Sequence, residues 1–195
     1  MTEHKKLCNH FIRGSCKFGS SCMNIHPSKL NGFLLVKIND QLLLGYSKTK
    51  NCFDIFGGKS EDYDVSPYHT AIREFIEEFF NFKPTIELVG KIVSESKILS
   101  INGFYNEKSK AMIFKINDCI FSNIINTLKK YSEIEELSYL CNIKSNLSVC
   151  TERPQPSLDP NDGLYSIEYV KLINFEELES IKVRSFASHI IHKLH

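Results

Sequence analysis

The stretch Arg73-Glu74-Phe75-Ile76-Glu77-Glu78 places three carboxylates and one guanidinium in six consecutive residues. On a helix, Glu74, Glu77 and Glu78 fall at i, i+3 and i+4 and share one face. Ile72, Phe75, Ile76 and Phe79 then turn the other way, toward a core. Like charges at this spacing repel by about 0.2–0.5 kcal/mol per pair. A divalent cation removes that conflict. Three hard oxygen donors, with a backbone carbonyl from the glycine turn Gly57-Gly58 just upstream, make a site for Mg²⁺ or Mn²⁺. Mg²⁺ keeps several waters and takes phosphate oxygens as further ligands, so the chemistry points to a phosphate substrate. Without a cation the same residues would be a solvated acidic helix face.

A second group sits near the start of the chain. Cys8, Cys16, Cys22 and His26 are spaced C-x7-C-x5-C-x3-H. Three thiolates and one imidazole form a closed tetrahedral Zn²⁺ site, in which metal binding largely replaces a hydrophobic core. The remaining cysteines, Cys52, Cys119, Cys141 and Cys150, lack ligand spacing and read as core or loop thiols. His189 and His192, at i and i+3, read as a pair on a helix surface.

The elements that must carry these residues follow from composition and pattern. A chain of 195 residues holds one ordinary domain and a small module, and 42% apolar content suits a real core. The net charge of +1 excludes bulk electrostatic attraction to nucleic acid or membrane, so such a partner needs a local site. No apolar run approaches the length of a bilayer span, and "MTEHKKLCNHF" lacks the apolar stretch of a signal peptide. Seven cysteines, an odd number, argue against a disulfide framework and for a reducing, cytoplasmic setting. Abundant Lys, Asn, Ile and Phe, with arginine only at Arg13, Arg73, Arg153 and Arg184, fit an AT-rich genome such as a virus or protist.

Residues 1–28 have no hydrophobic period and form the metal-binding module. Residues 32–195 form one α+β domain. "GFLLVKI" and "QLLLGYS", parted by Asn39-Asp40, read as a hairpin, and "FDIFGG" as a further strand ending in a glycine turn. A helix is expected from Pro67 to Phe79, with Ser66 as its N-cap. "TIELVGKIV" (85–93) and "AMIFKIND" read as strands, and "ILSINGFY" as a third between them. "FSNIINTLKKY" and "SFASHIIHKLH" read as helices, "LYSIEYVKLI" as a strand, and 151–162 as a Pro/Asp-rich loop.

The segment from Phe53 to Phe80 resembles the Nudix box, G-x5-E-x7-R-E-apolar-x-E-E-x-G-apolar. Arg73-Glu74-Phe75-Ile76-Glu77-Glu78 matches the core of that pattern, and "FDIFGGK" supplies its strand and glycine turn. Counting from Gly58, the box glutamate falls on Asp64, with eight residues before Arg73, so either Glu61 or Asp64 takes that part; the late glycine is Phe80. The resemblance implies a Nudix fold, a mixed β-sheet between helices, that hydrolyses a nucleoside diphosphate linked to another moiety. It implies Glu77 and Glu78 as principal metal ligands, Glu74 as ligand or base, the Gly57 or Gly58 carbonyl completing the shell, and Arg73 orienting the glutamates. It also implies a late general base, for which Glu168 is nominated and Glu136 is the rival.

"FIRGSC" and "CKFGSSC" resemble CCCH zinc fingers that bind RNA. In that family aromatic residues near the ligands stack on unpaired bases, and Phe11 and Phe18 occupy such positions. Asn24 stands where a further aromatic is usual. Lys5, Lys6, Arg13 and Lys17 supply local positive charge for phosphates. A finger of this kind beside a pyrophosphatase implies a substrate attached to RNA. Hydrolysis of the mRNA 5′ cap, as in decapping Nudix enzymes including those of large DNA viruses, fits best. Two alternatives stay open: hydrolysis of a free small diphosphate (a diphosphoinositol polyphosphate, dinucleoside polyphosphate or nucleotide sugar), and a non-catalytic RNA-binding protein on an inactive Nudix scaffold.

Overall fold

The computed structural model describes residues 7–12, 16–18, 21–24, 26, 29–80, 83–101, 103–131, 151–152 and 167–194. Within them the chain is α+β, with one mixed eight-stranded sheet and helices on both faces. The expected hairpin forms: β1 (Asn31–Ile38) and β2 (Gln41–Ser47) pair antiparallel from Val36↔Leu43 to Ile38↔Gln41. Asn39 takes the left-handed φ of 48° that the tight turn needs and that Asn tolerates.

Beyond that register the two strands diverge, and residues 52–58 enter between them. β3 (Cys52–Asp54) pairs with β2, and β4 (Phe56–Gly58) pairs with β1. The single strand expected in "FDIFGG" is therefore two short strands, because one segment changes partner as the hairpin splays. That wedge carries Gly57-Gly58 into the middle of the sheet. On the far side of β1 lies β6 (Ala111–Ile116), parallel to it, followed by β5 (Gly103–Asn106). On the far side of β2 lies β8 (Ile167–Asn174), edged by β7 (Thr151–Glu152).

Helix α2 (Pro67–Phe80) begins where the Ser66-Pro67 pair predicts; the Ser66 carbonyl accepts from the Thr70 amide at 3.2 Å. Residues 85–93 are not a strand. They form α3 (Ile86–Glu95), with Thr85 as N-cap accepting from the Leu88 amide at 3.2 Å. Its buried residues, Leu88, Val89, Ile92 and Val93, recur at helical spacing. The β-branched residues pointed to a strand, but burial of one side against α2 and α4 overrides that weak preference. "ILSINGFY" is likewise only partly strand: a 3₁₀ turn at Ile98–Ser100 precedes β5. Helix α4 (Asp118–Tyr131) and the closing helix α5 (Ser185–Leu194) form as expected.

Two apolar layers result. α2, α3 and α4 cover one face, where Phe56, Phe75 and Phe79 meet edge to face and stacked. α5 covers the other, over Phe33, Leu35, Leu44 and Ile113. The N-terminal module is not apart from this core. Ile12 on the short helix α1 (Asn9–Ile12) is 8% exposed and joins the α2–α4 layer, with Leu7 and Phe11 packed against it. The expectation that metal binding would largely replace a core there is corrected: the described part of the module also shares the core of the domain.

Candidate functional site

Arg73 organises the acidic cluster. It is 3% exposed and points from α2 into the turn after β4. Its Nε donates to Asp64 Oδ1 at 3.2 Å and its Nη2 to Asp64 Oδ2 at 3.0 Å, a two-pronged pairing. Nη2 also donates to the Lys59 carbonyl at 2.9 Å, and Nη1 lies 3.0 Å from both Glu74 Oε1 and Glu77 Oε2. Asp64, rather than Glu61, thus takes the Arg73-facing position: its side chain is 3% exposed, while Glu61 is exposed and gives its amide to Asp64. With Asp64 in that place the extra residue falls among residues 65–72, between Asp64 and Arg73.

The three glutamates do not end up in one environment. Glu77 is buried with Arg73. Glu78 instead accepts from the Gly57 amide at 2.8 Å. Glu74 leans on the glycine turn, so closely that a Cβ on Gly58 would sit 2.5 Å from Glu74 Oε2. Gly57 has φ of 140°, a conformation side-chain-bearing residues avoid. Gly57 is therefore required by its dihedral, and Gly58 leaves open the space that the Glu74 carboxylate fills.

Burial governs the electrostatics. It pushes the Glu78 carboxyl up to about 8, with Glu74 and Asp54 adding to the rise and the Gly57 amide opposing it. It raises Glu74 to about 7 against the pull of Arg73, and raises Glu77 too. For Arg73, burial opposes the charge, but Asp64, Glu74 and Glu77 outweigh it and hold the guanidinium above its ordinary range. Carboxylates that resist ionisation for want of positive charge are what an added divalent cation would relieve. The donors are hard oxygens, the type Mg²⁺ or Mn²⁺ prefers, but no three of these carboxylates converge at ligand spacing in the structure as the Cys/His group does.

Sequence reasoning missed Asp54. Its side chain is 8% exposed, pairs with Arg184 at 2.9 Å and lies 4.0 Å from Lys50, and its charge acts on Glu78. The available signal was an acidic residue inside the apolar run that leads to the glycine turn. Glu168 is not drawn into the Arg73 network; it stands on β8 and pairs with Lys48 at 3.5 Å. Glu136, Cys141 and Cys150 lie outside the described residues, as do residues 153–162 of the loop expected over 151–162; its first two residues are instead strand β7, paired with β8.

The cysteine group does close. One ligand atom from each of Cys8, Cys16, Cys22 and His26 lies within 4.8 Å of the other three. His26 Nε2 is buried without a hydrogen-bond partner, and all five described cysteines are free thiols. Burial works against a Cys8 thiolate, yet the Phe11 amide and the His26, Cys22 and Cys16 side chains bring that thiol down to about 7. A soft, three-sulfur, one-nitrogen set with an orphaned imidazole nitrogen fits Zn²⁺.

The residues nominated for RNA divide. Phe11 stacks on the His26 ring, centroids 4.5 Å apart, and packs on the core, so its face is taken. Phe18 is 70% exposed and Lys17 is exposed beside it. Arg13, Lys5 and Lys6 lie outside the described residues.

No family model and no curated protein matches the chain. Among solved structures it is similar to a bifunctional NMN adenylyltransferase/ADP-ribose pyrophosphatase from Francisella tularensis, determined with AMP and manganese. The identity is 18%, the TM-score 0.45, and the match covers 87% of this chain. The chain spans less than half of that protein, 42%. A likeness of that degree leaves the function to be argued from the site itself. Among the described residues no helix is long and apolar enough to cross a membrane.

Proposed function

We propose that this protein is a metal-dependent pyrophosphohydrolase that cleaves a nucleoside-diphosphate linkage at the 5′ end of RNA, the mRNA cap being the best fit. The observation that carries the hydrolase reading is the buried Arg73, holding Asp64 and Glu77 while Glu74 and Glu78 crowd the Gly57-Gly58 turn. A structural salt bridge would need one carboxylate, not this set. Glu77 and Glu78, with a Gly57 or Gly58 carbonyl, would hold the divalent cation, with Glu74 as a further ligand or as the base. When bound, that cation neutralises phosphoryl oxygens and acidifies a water. In the step itself the water oxygen bonds to one phosphorus, the bridging P–O bond breaks, and the leaving phosphate keeps the bridging oxygen. Glu74 is the better-placed acceptor for the water proton, because it stands against the glycine turn while Glu168 lies on β8 beside Lys48. Arg73 acts by orienting the glutamates.

The RNA part of the reading is supported by the thiol–imidazole group and by Phe18, an exposed ring beside Lys17 in that module. The test is parallel incubation with cap-labelled RNA, free cap dinucleotide and a diphosphoinositol phosphate, with Mg²⁺ and with Mn²⁺. Wild type should favour long RNA, and Glu78→Gln should lose activity by orders of magnitude without unfolding. Preference for a small diphosphate would move the substrate. Hydrolysis of none would leave the inactive scaffold.

A further inference from the structure

A cleft of about 690 Å³ lies between the β5–β6 hairpin and α5. That volume is within the range of small-molecule sites, about 300–1,000 Å³. Its walls are of two kinds. Phe104 on β5 and Phe186 on α5 present half-buried rings, while Lys108, His189 and Lys193 present exposed basic groups, against the single carboxylate of Glu107. Lys193 Nζ stands 4.2 Å over the Phe104 ring. None of these residues belongs to the acidic cluster or to the thiol group, and neither site explains why rings and lysines should share one cleft.

We infer that this cleft binds a nucleotide, the base against Phe104 and Phe186 and the phosphate to Lys193 and Lys108. Aromatic rings offer every base a stacking surface. Ammonium groups are the matching donors for a phosphate. A purely apolar ligand would leave the lysines unused, and an inorganic anion would leave the rings unused. The cleft is separated from the glycine turn by one side chain, Phe33. Phe186 packs on Phe33 with ring centroids 4.9 Å apart, and Phe33 is the side chain against which Gly57 is pressed. The inference rests on the hydrolase reading for the role of that nucleotide, though not for its binding.

The test therefore avoids turnover. Guanosine and adenosine 5′-monophosphates, and a short RNA bearing a 5′-phosphate, are titrated into the full-length Glu78→Gln chain without added divalent cation, by calorimetry. Saturable binding is expected. A stack worth roughly 1–3 kcal/mol predicts that Phe104→Ala weakens it about tenfold or more. Lys108→Ala with Lys193→Ala, both at exposed positions that spare the fold, should weaken nucleotide about tenfold and leave the unphosphorylated nucleoside unchanged. Binding of the monophosphates places a free nucleotide in the cleft; binding of the RNA alone places its terminal nucleotide there, and either supports the inference. It is overturned if neither probe binds, or if the double lysine variant binds nucleotide as well as the parent chain. Binding without any hydrolytic activity in the wild type would sustain the cleft while removing the hydrolase.

Discussion

Replacing Asp64 by asparagine separates the two positions left open by the spacing before Arg73. Asp64 Oδ1 and Oδ2 receive Arg73 Nε and Nη2 at 3.2 and 3.0 Å, and both side chains are nearly sealed from water, at 3% and 4% exposure. Removing one partner of a buried ion pair costs about 3–5 kcal/mol, because the other charge stays desolvated. Arg73 keeps Glu74, Glu77 and the Lys59 carbonyl, so the lower end, about 3 kcal/mol, is expected. For a chain of this size each kcal/mol moves Tm by about 2–4 °C, which gives a fall of about 6–12 °C. Glu61, exposed and engaged through its amide, should tolerate glutamine within about 0.5 kcal/mol. Urea unfolding of the three proteins at pH 7, followed by circular dichroism, measures both. Equal stability of Asp64→Asn and wild type, or an equal loss in Glu61→Gln, would refute the Arg73 argument.

Glu74 and Glu78 have folded-state values raised to about 7 and about 8 from an ordinary 4.5, so the folded chain without metal favours their protonated forms. Stability should then be fullest below pH 4.5 for these groups and fall as pH rises toward 8, by roughly 3 kcal/mol for Glu74 and roughly 4 kcal/mol for Glu78, with Mn²⁺ restoring Tm at pH 8; a metal-free Tm that rises over this window contradicts the burial argument. Gly58→Ala should leave Tm within a few degrees, since the added Cβ meets only the end of the Glu74 side chain at 2.5 Å, yet lower kcat about tenfold or more by displacing that carboxylate. Metal analysis of protein purified without chelators should find zinc, and Cys16→Ser should both release it and lower the Tm of the whole domain, because Ile12 and Phe11 pack on the main core. Phe11→Ala should lower Tm in the same melts, whereas Phe18→Ala should leave it unchanged and alter only RNA affinity.

Local order was legible where one segment carries its own constraint. Asn39-Asp40 closes the hairpin, Ser66-Pro67 starts α2, and Arg73 through Glu78 fall on that helix with their spacing intact, because turn dihedrals, proline geometry and helical period act over a few residues. The zinc-type ligand set was readable for the same reason: soft donors at short intervals reach one ion whatever surrounds them. Residues 85–93 show the opposite. Their β-branched composition favoured a strand, and only burial of Leu88, Val89, Ile92 and Val93 beneath α2 and α4 makes α3 a helix.

The division within the acidic set was likewise a matter of tertiary structure. Sequence put three glutamates on one helix, but the wedge of residues 52–58 between β1 and β2 decided that Glu78 would meet the Gly57 amide and Glu74 the bare face of Gly58. It also brought Asp54 to Glu78 from another strand, and the turn at 61–64 chose Asp64 over Glu61 for Arg73. Sequence by itself thus determined which groups could do chemistry and at what local spacing. Which of them share a low-dielectric space depends on contacts between distant segments, and those exist only once the sheet is built and water is excluded.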